Sequence, residues 1–333
     1  MITSPTSSSL SEPVRLALDA AIRAPSPHNS QPWRFEVTGD RIDVLLDKDR
    51  VLNVVDGGAR EARLSCGAAI LNMRIALLAA GRTGLVHLLP DTDHDEHLAT
   101  LSVRGARPIA PADTALARAI GLRRSNRRPF TDRPLPARVR RALVEAAARE
   151  GAELVLLEQP GDLDALAALL RHAEHLQSED PEFRAELARW TVTTDSRDDG
   201  VPAMAGGPRP EPGSLLTLRH YAVYSAAQPD RPYEQEPLVA VLNSYTDTPL
   251  AQLRAGQGME RVLLTATNAG VSASFLCQPV EVPATRLALR RLLGSQAHPQ
   301  VVLRFGYGFT APATRRRAVE TVTRQHLPEE VPI

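Results

Sequence analysis

The stretch Ala24-Pro25-Ser26-Pro27-His28-Asn29-Ser30-Gln31-Pro32-Trp33-Arg34-Phe35 constrains the fold more than any other. Prolines at 25, 27 and 32 fix φ and withdraw backbone donors, so neither helix nor strand can run through it. It joins an apolar-periodic helix expected over residues 12–24 to a strand expected from Trp33, and is a stiff, shaped loop. Ser26, His28, Asn29 and Gln31 stand on that frame as short polar side chains, able to donate and accept hydrogen bonds toward something planar and polar. The same residues would also suit a plain connector in which Ser and Asn bond their own backbone.

Around the loop the pattern is α+β. Ser11 is a plausible N-cap, Pro13 suits a first helical turn, and Val14, Ala17, Leu18, Ala21 and Ile22 form one apolar face. Strand-like runs at 33–37 and 41–46 flank Thr38-Gly39-Asp40 as a hairpin. A long helix over 60–80, closed by Gly81, carries Gly67, Ala68, Ala69 and Ala76, small enough for close approach by another helix, so it is expected to be central. Strands at 85–89 and 99–103 follow.

From Gly121 the chain reads Leu-Arg-Arg-Ser-Asn-Arg-Arg-Pro-Phe, which puts Arg123, Arg124, Arg127 and Arg128 around Ser125 and Asn126. Composition sharpens this feature. Lys48 is the only lysine, so a site needing a cation elsewhere must use guanidinium groups, whose planar forks suit phosphate oxygens. A solvated basic turn is the simpler alternative.

Two echoes point to an internal repeat. Val139 to Ala146 repeats the V-R-x-A-L-x-x-A positions of Val14 to Ala21, each followed by a strand, the second at 153–157. Gly81 to Pro90 and Gly270 to Pro279 each follow a long, small-residue-rich helix, turn strand-like and end at proline. Two related α+β halves are expected, residues 1–120 and 121–333. The proline loop belongs only to the first and the arginine motif only to the second, so a site needing both is built once per chain. Between elements of the second half lies an insertion over about 178–237, rich in Pro, Gly and charge, a length typical of a linker or lid. Trp190, Tyr221, Tyr224 and Tyr233 give it packing groups in a chain only 4% aromatic.

Other classes are disfavoured. Zero net charge offers no footprint for nucleic acid or an anionic membrane. Cys66 and Cys277 are isolated, and neither the Asp91–His97 cluster nor His172 and His175 have metal-ligand spacing, so no metal is expected. Residues 1–9 read as a disordered lead rather than a signal peptide, and the apolar run 66–80 is too short to span a bilayer, so a cytoplasmic location is expected.

The A-P-S-x-H-N-S-Q-P-W-R-F loop, with R-R-S-N-R-R-P-F about ninety residues later, resembles the FMN-dependent nitroreductase superfamily, most closely its Acg-like subgroup. That resemblance implies a nitroreductase-like fold in which two normally separate protomers are fused as a pseudo-dimer, so that a monomer suffices. It implies FMN held by Arg123, Arg124 and Ser125 at the phosphate and ribityl chain, and by Pro25, Ser26 and Asn29, with His28 and Gln31 nearby. Arg127 takes the position where many members have lysine near the flavin pyrimidine. Ala273, Ser274 and Phe275 match the stretch along the N5 edge, and Arg316 and Arg317 match a C-terminal basic pair reaching the phosphate.

The implied function is NAD(P)H-dependent oxidoreduction through flavin N5, with a small electron-poor acceptor such as a nitroaromatic or quinone and no side chain demanded as catalyst. The alternative is a flavin-sequestering protein whose lid prevents turnover.

Overall fold

The computed structural model describes residues 10–91, 93–192, 197–208, 215–219, 221, 232–294 and 296–326. The lead at residues 1–9, Tyr224 and parts of the expected insertion lie outside the described residues.

Helix α1 (Glu12–Ala21) carries Pro in its first turn and buries Val14, Ala17, Leu18 and Ala21. It stops earlier than the expected 24, because Arg23 and Ala24 bond to the carbonyls of Ala20 and Ala21 in a tightened last turn ahead of Pro25. Strands β1 (Trp33–Thr38) and β2 (Arg41–Leu46) pair antiparallel around Gly39, whose φ of 59° a tight turn requires. Trp33, Phe35 and Val37 alternate inward against Ile42, Val44 and Leu46, each such burial contributing about 1.5–3 kcal/mol. Then come α2 (Arg60–Ala79), β3 (Arg82–Leu88), β4 (His97–Ala106) and α3 (Pro111–Leu122).

The second part of the chain opens on α4 (Ala137–Ala148) and β5 (Glu153–Leu156). Next are α5 (Asp162–Glu179), α6 (Pro181–Arg189), β6 (Thr191–Val192) and β7 (Val201–Pro202). Strand β8 (Leu238–Ser244), α7 (Pro249–Asn268), β9 (Ser272–Phe275), α8 (Gln278–Glu281), α9 (Pro283–Leu292) and β10 (His298–Gly306) complete it. Helix α10 (Val319–Val322) leads into β11 (Thr323–His326).

One sheet has the order β11-β1-β2-β4-β3 and the other β5-β8-β10-β9. Counted within each part, both run first, second, fourth, third, with every one of these neighbours antiparallel. Strand β11 crosses back and joins the first sheet parallel to β1. Helices α2 and α7, 20 residues each, pack between the sheets. Each ends in a glycine with φ of 70°, Gly81 and Gly270, which satisfies a terminal carbonyl through a left-handed turn. Helix α2 has the length and apolar composition of a membrane span, more than the run 66–80 led us to expect, but it is the core helix, packed against α1, α3 and α7.

The long connection lies between β5 and β8, where the first part has only the Gly39 turn. Its consequence is visible in β8 and β10, which are buried along almost their whole length. Ala240, Leu242, Leu303 and Phe305 face the central core, while Val239, Val241 and Val302 face a second cluster with Leu166, Leu170, Leu216, Leu218 and Tyr233. The second sheet is covered on both faces, and the covering segments continue to the mouth of the site.

Candidate functional site

Two adjoining cavities lie between the proline loop and the arginine motif, and Pro25, Ser26, Ser125 and Arg127 line both. The larger encloses about 780 Å3 and is walled by Leu64, Met259, Phe275, Val301 and Leu218, with Ser274, His28 and Tyr221 among its polar groups. The smaller encloses about 650 Å3 and gathers Arg23, Arg123, Arg124 and Arg316 around Asn29 and Thr314.

The proline loop is strained into shape. His28, Asn29 and Gln31 have φ of 48°, 58° and 54°, a region that Asn tolerates and the others enter at a cost of about 1 kcal/mol or more. Ser26 Oγ accepts the Gln31 N–H at 2.9 Å, so the self-bonding of a connector is real, and the same serine faces both cavities. Asn29 Nδ2 donates to the carbonyls of Gly200 and Arg315, both at 3.1 Å. Gln31 is wholly buried. Its Nε2 donates to Asp198 O at 2.8 Å and its Oε1 accepts the Arg317 N–H at 2.9 Å, so it clamps the loop and lines neither cavity.

His28 receives Arg219 Nη1 at Nε2, 3.4 Å away, and stands edge-on to the Tyr221 ring. A guanidinium can only donate, so Nε2 accepts and the ring proton sits on Nδ1, which is buried without a partner among the described residues. Burial, then the charges of Arg219 and Arg127, hold the imidazole well below its ordinary pKa, and it is neutral.

The arginine motif is held from three sides. Arg123 caps α3, and Ser125 bridges to Ala273 in parallel while the Asn126 N–H donates to Ala273 O at 2.8 Å. The Asn126 side chain donates to Phe309 O at 2.8 Å and to Ser272 Oγ at 3.2 Å. From β10, buried Arg304 donates to Arg128 O at 2.9 Å and to Glu234 Oε1 at 2.7 Å, and lies 4.2 Å from the Phe130 ring centre. Glu234 in turn accepts the Phe130 N–H at 2.7 Å. Ala273 thus acts through its backbone, while Ser274 and Phe275 reach the larger cavity.

Charge in the smaller cavity is unbalanced. Burial, followed by Arg123, Arg23 and Arg124, pushes Arg316 below the ordinary guanidinium range, and burial with Arg123 and Arg23 does the same to Arg124. Glu260, wholly buried, lies 3.6 Å from Arg123 Nε, one carboxyl group beside a cavity lined, among the described residues, by five arginines. Arg317, by contrast, turns to Asp47 at 3.6 Å and lines neither cavity. Arg127 donates to Ala205 O at 2.9 Å and to Tyr221 Oη at 3.1 Å, groups of the long connection.

Eleven of the fourteen residues expected at the site line a cavity; Gln31, Ala273 and Arg317 do not. Arg23, Arg219, Glu61 and Glu281 were not anticipated. Arg23 adjoins the proline loop and was discoverable as a further guanidinium there, whereas the glutamates come from separate elements and carry no local signal. An anion with three or more acceptor oxygens suits the basic end, and a flat, largely apolar body suits the other.

No family model matches the sequence. Two proteins of Mycobacterium tuberculosis are similar over nearly the whole chain. "Putative NAD(P)H nitroreductase Rv3131" is 35% identical over 329 residues, 96% of this chain and 93% of that protein. "Putative NAD(P)H nitroreductase acg" is 34% identical over 320 residues, 93% of this chain and 94% of the relative. The chain belongs to this nitroreductase family, in its Acg-like branch. Among solved structures, a "putative nitroreductase" from Anabaena variabilis aligns with 90% of this chain and 74% of its own, at 10% identity and a TM-score of 0.47.

Proposed function

We propose that the chain is an FMN-binding oxidoreductase that takes electrons from NAD(P)H and passes them to a small electron-poor acceptor. The observation that carries this reading is the pairing of a five-arginine cavity with a largely apolar one, joined at Ser26, Ser125 and Arg127. A phosphate relieves the repulsion among Arg23, Arg123, Arg124 and Arg316, and the larger cavity takes the isoalloxazine against Leu64, Met259 and Phe275. The orphaned His28 Nδ1–H and Ser274 Oγ are polar groups that such a ring, or its substrate, satisfies. Arg127 supplies positive charge where the two cavities meet, suited to a reduced pyrimidine ring. Bound FMN supplies reversible two-electron chemistry at N5.

The same reading makes the chain a fused pair of halves, residues 1–120 and 121–333, with β11 returned to the first. Matching sheet orders support it, and it gives one site per chain and a monomer without need of a partner.

A second reading, flavin sequestration with little turnover, is favoured by one feature: Leu218, Arg219 and Tyr221 of the long connection line the larger cavity, and Ala205 and Tyr221 occupy Arg127. Denatured protein should release about one FMN per chain. Anaerobic NADPH or NADH should bleach the oxidised flavin band; a band that persists with both nicotinamides selects sequestration.

A further inference from the structure

Glu61 stands on the first turn of α2 in the wall of the larger cavity, 5% exposed. Its Oε1 accepts Arg60 Nη2 at 2.6 Å, while Oε2 takes no hydrogen bond from a described residue. Glu281, at the end of α8, lines the same cavity, and its buried carboxylate is held by Arg219 and by Gln177 Nε2 at 2.6 Å. Asp56 is committed elsewhere, with its two oxygens on the backbone N–H groups of Glu61 and Ala62 at 2.9 and 2.8 Å.

Glu61 and Glu281 therefore share one wall with Asp56 close by, and the guanidiniums near them are divided: Arg60 also serves Gln300 O at 2.6 Å, Arg63 acts on Asp56, and Arg219 also faces Glu174. Like charges in a low-dielectric wall do not all ionise. Glu281 has two donors, Gln177 and Arg219, on one carboxyl oxygen. Glu61 has one donor and an open oxygen, and takes the proton. Burial, then Glu281, raise the Glu61 carboxyl to about 8; Asp56 adds to this, and Arg60 and Arg219 oppose it. Cys277 in that wall is a neutral thiol pushed far up by burial, and His28, which lines the same cavity, is held well below its ordinary pKa, so neither takes that proton.

We propose that Glu61 is the proton donor to the electron acceptor, a carboxylic acid kept in its acid form within the cavity wall by Glu281. This rests on the flavoprotein reading above. With a quinone as acceptor, a hydride equivalent, two electrons and one proton, would come from flavin held at the arginine cavity, and Glu61 supplies the second proton. The Glu61 O–H bond breaks, an O–H bond forms on the quinone oxygen, hydroquinone leaves, and water returns a proton to the carboxylate.

Infrared titration of the holoprotein should show a protonated-carboxyl band at neutral pH that disappears near pH 8 and is missing from Glu61→Gln. In Glu281→Gln, which leaves Glu61 in place, the same band should titrate at lower pH. In a second arm, dithionite-reduced holoprotein is mixed anaerobically with 1,4-benzoquinone or with ferricyanide, which takes an electron without a proton. Glu61→Gln should slow the quinone reaction by about 10²–10⁴-fold and leave ferricyanide unchanged. Equal quinone rates, or a Glu61 band that titrates in the ordinary carboxylate range, overturn the donor role alone. A protein that takes up no FMN overturns that role together with the flavoprotein reading. Dithionite bypasses the nicotinamide, so failure of NAD(P)H to reduce the protein counts only against the nicotinamide assignment.

Discussion

Gly67 and Gly256 meet where α2 crosses α7, and each replaces a side chain that would strike the other helix. A Cβ on Gly67 would lie 2.2 Å from Leu253 O, and one on Gly256 would lie 2.1 Å from Leu64 O. The contacts are reciprocal, and what they meet is backbone, which cannot swing aside. Leu64, whose carbonyl makes the crossing's closest contact, and Met259 on α7 both line the larger cavity, so the spacing of these helices sets the width of the site.

Gly67→Ala and Gly256→Ala should each force the helices apart, at or above the upper end of the ~1–3 kcal/mol typical of overpacking. Urea denaturation would measure the loss. The double variant should cost less than the sum, since one displacement relieves both clashes. Additive losses would show that the two contacts yield independently.

Arg316 should act with opposite signs in the empty and loaded protein. Without an anion it is one of five guanidiniums at one cavity, and Arg316→Gln removes repulsion, so the apoprotein should melt no lower than the parent. With FMN bound it loses a charge-assisted bond of ~1.5–3 kcal/mol, which raises Kd by about ten- to a hundredfold. Fluorescence titration and thermal melts with and without FMN test both. A variant that lowers apoprotein stability and leaves Kd unchanged would mean that the phosphate sits elsewhere.

Breaking the Arg304–Glu234 pair should unseat the arginine motif. Both side chains are almost fully buried, so Arg304→Met leaves Glu234 as an uncompensated charge, at a cost of about 3–5 kcal/mol. Glu234 also holds the Phe130 N–H, and Arg304 the carbonyls of Asn126 and Arg128. FMN affinity should therefore fall with stability, although neither residue lines the smaller cavity. Arg304→Met combined with Glu234→Met should recover part of the stability, because no charge is then stranded.

What the sequence made legible was local. Prolines at 25, 27 and 32 marked the loop, alternation marked β1 and β2, and small residues with a closing glycine marked α2 as central. Arginine clustering located the basic cavity. The expected side chains that line neither cavity share one reason, that a motif fixes where the backbone goes and not which partner a side chain finds. Gln31 is polar and on the right loop, but a left-handed φ turns it into the protein, onto Asp198 O and the Arg317 N–H. Arg317 is beside Arg316, but Asp47 competes for it. Glu61 and Glu281 lie 220 residues apart by their numbers and share a wall only because α2 and α8 pack around one cavity. No window of sequence contains that pair.

The buried proton on Glu61 also makes stability depend on pH, in a direction opposite to that of an ordinary paired carboxylate. In the unfolded chain the group ionises near 4.5, and in the folded protein it holds its proton up to about 8. Between those values the native state binds the extra proton, so this residue's contribution to stability is present below about pH 4.5 and is lost as pH rises toward 8. The slope approaches one proton, ~1.4 kcal/mol per pH unit, and other carboxylates add their own slopes. The comparison is therefore between parent and Glu61→Gln. Urea midpoints measured at several pH values should show the parent losing stability relative to the variant from pH 5 to pH 8, and a constant difference would mean that Glu61 is ionised in the native protein.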